Sequence, residues 1–165
     1  MNTGQTMMAM GAMVLLATIM LRVNTTNLTN ESVRDQAQYG VLATSIATSI
    51  IEEAQSKAFD AKTDTNSVST VLGLTSSLLL GPESGETADS LFNDFDDFDG
   101  YTKRDSTMPS AIFDISCQVV YVTPDNLEGS SLAQTWHKKI NITIMSPFSP
   151  DTFRTSSIYS YWFFR

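Results

Sequence analysis

The chain begins with an uncharged, mostly apolar segment. No charged side chain occurs between Met1 and Leu21, and the run from Met7 onward is almost wholly apolar. A helix rises about 1.5 Å per residue, so this segment would reach about 30 Å, the thickness of a bilayer's hydrocarbon core. The pattern therefore predicts a helix able to span a membrane.

Three interpretations of this helix compete. A secretory signal peptide normally begins with basic residues, and none precedes the apolar run, which weighs against a signal peptide. A single-pass anchor fits the length, but Arg22 is the one basic residue near the run and specifies its orientation poorly. The third interpretation is a helix that stays in the membrane only until it is assembled into a polymer.

A polar connector and a second helical pattern follow. Residues 22–30 are rich in Asn and Thr, which hydrogen-bond to the local backbone, so we expect a loosened or non-helical connector. Over residues 31–58 apolar side chains recur every fourth position, which predicts an amphipathic helix with Asn30 as its N-cap. The apolar stripe consists of Leu42, Ile46, Ile50, Ala54 and Ala58.

The rest of the chain predicts an acidic loop and an antiparallel sheet. Residues 81–107 are rich in Gly, Asp, Ser and Glu, as surface loops are. Alternating apolar residues predict strands within 111–164, and one face of their sheet would cover the helix. The predicted fold class is α+β, with residues 1–30 as membrane helix and connector and residues 31–165 as an extracellular domain. The aromatic end, 158–165, is either core or an edge strand between neighbouring domains.

Composition narrows the function classes. A net charge of −8 argues against a nucleic-acid partner, because phosphate contacts require a basic patch. Cys117 is the one cysteine, so no intrachain disulfide can form, and its place in an apolar alternation predicts a small core residue. His137 is the one histidine, which excludes a multi-histidine metal site.

The acidic loop contains a candidate metal site. Its carboxylates belong to Asp94, Asp96, Asp97 and Asp99. Clustered carboxylates suit a hard cation such as Ca²⁺, although the spacing relative to Gly100 does not fit an EF-hand loop. The alternative is a turn that packs onto the domain through Phe92, Phe95 and Phe98. No other cofactor is predicted.

We expect no catalytic activity. A glycosidase needs two carboxylates that face each other across a pocket, one of them with a raised pKa. We expect the adjacent Asp side chains of the loop to be exposed and to lack that asymmetry. The sequence contains no phosphate-binding loop, no Gly-x-Ser-x-Gly motif and no metal-binding histidine spacing.

Four asparagines begin the Asn-x-Ser/Thr pattern of N-glycosylation acceptors. They are Asn24, Asn27, Asn30 and Asn141. The first three lie in an Asn- and Thr-rich stretch, where the motif arises by chance, and chance explains them at least as well as glycosylation does.

The order of these segments resembles that of type IV pilins and of the pseudopilins of type II secretion. The run Asn93-Asp-Phe-Asp-Asp-Phe-Asp-Gly-Tyr101 is similar to an acidic segment of minor pilins of the mannose-sensitive haemagglutinin type. Lys138-Lys-Ile-Asn-Ile-Thr-Ile144 is similar to the sheet that follows that segment there. The resemblance implies a structural subunit of an extracellular bacterial filament that serves adhesion, motility or secretion and is assembled from the inner membrane.

The resemblance also implies self-assembly through the N-terminal helix. The positions concerned are Gln5, Met8, Gly11, Val14, Leu15 and Ile19. Pilins lose a short leader, and if numbering starts at the processed end, Gln5 stands where pilins usually have a Glu that meets a neighbour's N-terminal amine. Gln5 could accept a neutral hydrogen bond there, about half as strong as a charge-assisted one. A cut after Gly4 would place Ala9 there instead. The rival hypothesis is a membrane-anchored extracellular binding module that does not polymerise.

Overall fold

The fold is seen in a computed structural model that describes residues 2–108 and 111–161. A long helix, α1, covers Thr3–Ser56, and an antiparallel sheet follows it. This arrangement confirms the predicted α+β class. The strands are β1 (Thr102–Met108), β2 (Ala111–Thr123), β3 (Asn126–Ser131), β4 (His137–Ser146) and β5 (Ser149–Ser160).

The connector is helical, so the prediction of a loosened segment at residues 22–30 is wrong. Thr25, Thr26 and Thr29 each donate their hydroxyl to the carbonyl four residues earlier, at 2.9 Å. Their hydroxyls therefore do not compete for the backbone amides of the helix. Because helix propagation adds one hydrogen bond per residue, a short run of indifferent helix formers between two helical segments does not end the helix. Asn30 accordingly lies inside α1 and is not an N-cap, and α1 ends at Ser56.

The chain divides into two compact units, Met1–Tyr39 and Gly40–Arg165. The first unit, as far as it is described, is the N-terminal part of α1. The second unit contains the last turns of α1, a long loop region and the sheet, and we call it the head. The sequence had suggested a division after residue 30.

Within the head, small side chains of α1 are buried. They are Ala43, Ala47, Ile50 and Ala54. Leu42 and Ile46, which the periodicity placed on the same stripe, are half-buried. The helix is tied to the sheet by Gln55, whose Nε2 donates to Ser157 Oγ on β5 at 2.9 Å. Alanine at three of the four buried positions lets the helix backbone approach its neighbours closely.

The sheet has the order β1-β2-β4-β5, and β3 also pairs with β2. Tyr121 on β2 pairs with Ser131 of β3 and with Lys138 of β4, so β3 lies on the same side of β2 as β1. β1 and β3 were not predicted, and β1 had been assigned to the acidic loop. Neither strand shows an apolar alternation, since each is positioned by backbone pairing with β2.

The core lies on one face of this sheet. The inward residues of β2 are Phe113, Ile115, Cys117, Val119 and Tyr121, and all are buried. Opposite them on β4 are Ile144, Ile142, Ile140 and Lys138. Cys117 is therefore a core residue, as predicted, and burial raises the pKa of its thiol to about 12.

The aromatic end of the chain belongs in part to the core and in part to an edge strand, while its packing between neighbouring domains stays a prediction. β5 stands last in the strand order, yet the Tyr159 side chain is buried. Tyr161 stacks on Trp136 with ring centroids 5.2 Å apart. Residues 162–165, the remainder of this aromatic run, lie outside the described residues.

The buried alanines generate a stability prediction. Ala43→Leu adds atoms at a fully buried position, and overpacking of this kind costs about 1–3 kcal/mol of unfolding free energy. Ala37→Leu is the matched control, because Ala37 is an exposed alanine on the same helix and the change should stay within about 0.5 kcal/mol. Urea unfolding of the detergent-solubilised chain, followed by near-UV circular dichroism, measures both. Equal effects would show that the stripe does not pack against the sheet.

Candidate functional site

The first unit presents apolar side chains in every direction. All residues from Met7 to Gln38 are exposed, including Met8 at 81% and Val14 at 65%. Successive helical residues point about 100° apart, so the unbroken apolar run covers the whole circumference of the helix. This helix is long and apolar enough to cross a membrane, and a signal sequence would satisfy the same criterion. A surface of this kind requires lipid or other protein to cover it.

The positions expected to mediate assembly all lie on this surface, where Gln5, Gly11 and Ile19 are exposed like their neighbours. Apart from the adjoining backbone of the helix itself, no atom of the described residues lies within 4 Å of where a Cβ would stand at Gly4 or Gly11. The backbone is therefore open to close approach at both glycines. Met1, whose amine the Gln5 hypothesis concerns, lies outside the described residues.

The four glycosylation acceptors lie in regular secondary structure. Asn24, Asn27 and Asn30 are exposed on α1. Asn141 is half-buried on β4 and is flanked by paired residues on both sides, Gln118 of β2 and Ser156 of β5.

A second candidate site lies in the head and centres on the fully buried ammonium of Lys138. Its Nζ donates to the Phe59 carbonyl oxygen and to Asp60 Oδ2, each at 2.8 Å, and to Asp96 Oδ1. The rings of Phe59 and Tyr121 have their centroids 4.7 and 5.3 Å from this nitrogen. All three ammonium protons are therefore used, and two aromatic faces complete the surroundings.

Asp60 is the most fully satisfied carboxylate of this network. Its oxygens accept from the Thr75 backbone amide and hydroxyl, from the Lys62 amide and from the Tyr121 hydroxyl, at 3.0 to 3.2 Å. Burial alone would raise the pKa of Asp60, but the Lys138 charge and these hydrogen bonds outweigh it and hold the pKa below its ordinary value. We therefore expect Asp60 to be ionised at neutral pH.

Sequence reasoning missed this network, although one signal was present. Lys138 stands two residues before Ile140, in the inward phase of the β4 alternation, so its position predicted burial. The Asp side chains of the acidic loop were expected to be exposed, and this expectation is wrong for Asp94, Asp96 and Asp97, which are buried.

The loop brings these carboxylates inside because its phenylalanines are anchored. Phe92, Phe95 and Phe98 are buried, which confirms the packing predicted for them. The Ala58 amide donates to the Asn93 carbonyl at 3.2 Å, and the Phe95 amide donates to the Ala58 carbonyl at 2.9 Å. With the backbone fixed in this way, the intervening aspartates cannot turn out to solvent.

Three carboxylates of this region converge. One oxygen from each of Glu83, Asp94 and Asp97 lies within 4.8 Å of the others. Asp97 Oδ2 accepts from the amides of Asn93 and Asp94, at 2.8 and 3.1 Å, and Asp94 Oδ1 accepts from the Asp96 amide at 2.8 Å. Asp94 Oδ2 and Asp97 Oδ1 are buried and have no hydrogen-bond partner among residues 2–108 and 111–161.

The convergence perturbs the ionisation of these groups. Burial, the adjacent Asp96 side chain and the negative charges of Asp96 and Asp97 raise the pKa of Asp94 to about 9. Burial and its contact with Glu86 raise the pKa of Glu83 to about 7, and burial also raises the pKa of Asp97. The three carboxylates therefore resist ionising together when no cation is near.

The structure divides the four aspartates that the sequence had grouped. Asp94 and Asp97 come together with Glu83, which the sequence did not include. Asp96 Oδ1 accepts from Lys138, and Asp99 Oδ1 accepts from the Val119 amide at 2.8 Å. Glu83 stands more than ten positions before the aspartates in the sequence, so only the fold brings it to them.

Comparison with protein-family models, with curated proteins and with solved structures finds no significant match for this chain. The architecture itself, a long N-terminal apolar helix followed by an antiparallel sheet, is pilin-like.

The Lys138 network predicts a large difference between two adjacent lysines. Lys138→Met leaves Asp60 and Asp96 buried without their cation, which should lower the free energy of unfolding by about 3–5 kcal/mol. Lys139→Met is the matched control, because the Lys139 ammonium donates to the carbonyls of Leu127 and Glu128 and forms no ion pair within the described residues, so its loss should cost about 1.5 kcal/mol. Urea unfolding measures both, and equal losses would contradict the role given to Lys138.

The raised carboxylate pKa values predict the pH dependence of stability. Between about pH 5 and the Asp94 pKa of about 9, the folded head binds more protons than the unfolded chain, so stability falls as the pH rises. With EDTA present, the melting temperature should be lower at pH 8 than at pH 6. Asp94→Asn should flatten this slope, whereas Asp89→Asn should leave it unchanged, because Asp89 is an exposed partner of Lys103. If the melting temperature of Asp94→Asn depends on pH as steeply as that of the wild type, Asp94 is not the group that causes the pH dependence.

Proposed function

We propose that this chain is the structural subunit of an extracellular, type IV pilus-like filament that polymerises through its N-terminal helix. The observation that supports the proposal best is the fully exposed apolar surface of the first unit. Water does not solvate such a surface favourably, so the helix must be covered by lipid, by other copies of itself, or by each in turn.

Apolar residues that lie beyond the reach of a bilayer favour the covering of this helix by other copies of the chain. About 20 residues are enough to cross the hydrocarbon core, and the uncharged run ends at Leu21. Leu28 and Val33 lie past that point and are still 61% and 57% exposed. A monomeric anchor would leave them in water, whereas a bundle of parallel helices would bury them.

The distribution of charge supports the same arrangement. The first unit contains two arginines, Arg22 and Arg34, and two acidic residues, Glu31 and Asp35, so it carries no net charge. The whole net charge of −8 therefore belongs to the head. Neutral helices can be brought together without mutual repulsion, and acidic heads remain hydrated around them.

The runner-up is a membrane-anchored extracellular module that binds a ligand and does not polymerise. It accounts for the apolar run equally well, but it gives no role to Leu28 and Val33. The proposed subunit is structural and not catalytic. With the pilin resemblance come a bacterial cell-surface location, passage through the inner membrane, and a role in adhesion, motility or secretion.

Electron microscopy of sheared surface material tests the proposal. We expect filaments that contain this chain, and we expect Leu28→Asp to abolish them, because it places a charge among packed helices, while the chain still reaches the membrane fraction. Leu78→Asp is the matched control, since Leu78 is an exposed leucine of the head, and its filaments should persist.

Two results would contradict this function. One is wild-type surface material without filaments while the chain is abundant in the membrane, which would favour the monomeric module. The other is a Leu28→Asp chain that assembles filaments of normal number and length.

A further inference from the structure

We propose that Glu83, Asp94 and Asp97 form a binding site for one Ca²⁺ ion in the head. The proposal is independent of filament formation, because all three residues belong to the head and the site needs no second copy of the chain.

The spacing of the oxygens fits such an ion. Ca²⁺ binds oxygen ligands at about 2.3–2.6 Å, so two ligands on opposite sides of it stand about 5 Å apart. One oxygen from each of the three carboxylates lies within 4.8 Å of the others. All three can therefore contact the same ion without a rearrangement of the loop.

The unpartnered oxygens give a second and independent indication. Asp94 and Asp97 are fully buried, yet each keeps one carboxylate oxygen that no described donor reaches. Their other oxygens accept hydrogen bonds from the backbone amides of Asn93, Asp94 and Asp96, and these bonds fix the orientation of both carboxylates. A buried acceptor without a donor is costly, and a bound cation satisfies it.

The negative charge of these carboxylates is not matched by an ion pair among the described residues. Lys138, the buried ammonium nearby, is used by Asp60 and Asp96 and makes no ion pair with Asp94 or Asp97 within the described part of the chain. Glu86 adds further negative charge beside the site, where it accepts from the Glu83 amide at 2.8 Å. The site is therefore an electronegative centre, on which the Lys138 charge acts only through space and with which no cationic side chain of residues 2–108 and 111–161 forms an ion pair.

The donor set favours calcium over other metals. It contains only carboxylate oxygens, which suit hard cations, and neither the buried Cys117 nor His137 belongs to it. Glu83 is exposed, so the site opens to solvent on that side and water can complete the six to eight ligands that Ca²⁺ takes. Mg²⁺ demands a stricter octahedron and loses its water reluctantly, so we expect it to bind more weakly.

Binding would fasten one part of the loop to another. Glu83 lies in a turn closed by the bond from the Glu86 amide to the Glu83 carbonyl at 3.1 Å, and Gly85 in this turn has a φ of 116°. Asp94 and Asp97 lie in the segment anchored to Ala58 by backbone hydrogen bonds. An ion shared between them joins the turn at Glu83 to the anchored segment, so the head should become more stable.

Calorimetric titration of the EDTA-treated, detergent-solubilised full chain with CaCl₂ tests the site. We expect one ion per chain, a higher melting temperature with calcium, and binding of MgCl₂ at least about tenfold weaker. Glu83→Gln should weaken calcium binding by about tenfold or more without disturbing the fold, because Glu83 is exposed. Asp94→Asn should abolish binding.

Asp99→Asn is the matched control. It removes the same charge from the same loop, but Asp99 accepts a hydrogen bond from the Val119 amide and does not belong to the site. Calcium affinity should therefore change little. Absence of heat and of any melting shift at millimolar calcium would overturn the proposal. So would binding that survives Glu83→Gln unchanged, or binding lost equally in Asp99→Asn. If the wild-type chain binds calcium but forms no filaments, the proposed function is refuted and the calcium site is not.

Discussion

The buried ammonium of Lys138 lies where the separate parts of the head meet. It contacts the segment directly after α1 through Phe59 and Asp60, the acidic loop through Asp96, and the ring of Tyr121 on β2, while its own backbone belongs to β4. Removal of the lysine would leave Asp60 and Asp96 buried without their cation, and removal of either aspartate would leave the ammonium with one carboxylate fewer. Each element is therefore held in position by the charges of the others.

The carboxylates of Asp94 and Asp97 lie beside this network but are not paired with its lysine. Asp60 and Asp96 both pair with the ammonium of Lys138, whereas Asp94 and Asp97, a few residues away, converge with Glu83 and form no ion pair within the described residues. Backbone amides fix their orientation but satisfy only one oxygen of each. The acidic loop thus contributes Asp96 to the ion pair that holds the head together, and Asp94 and Asp97 to an electronegative cluster.

The two units of the chain differ in how they expose apolar side chains and charge to solvent. The head buries its apolar face between α1 and the sheet and carries the whole net charge, whereas the described part of the first unit exposes apolar side chains and carries no net charge. The head has a buried core of its own, whereas the described part of the first unit exposes apolar side chains that are unfavourable in water. This contrast is what makes a filament subunit a physically coherent proposal.

The sequence by itself determined the features that depend on periodicity. The apolar helix, the burial of Ile50 and Ala54, the strands β2, β4 and β5 and the inward place of Cys117 all follow from the spacing of apolar residues, because burial acts on each residue according to its position in the element. The predicted stripe also included Ala58, which lies beyond the end of α1. Tertiary structure alone decided the rest. The helix continues through residues 22–30 because its flanks propagate it, β1 and β3 form because β2 offers backbone partners, and Glu83 joins Asp94 and Asp97 because the loop folds back. The choice of which aspartates are paired with Lys138 likewise depends on distances in space, and a linear pattern does not contain them.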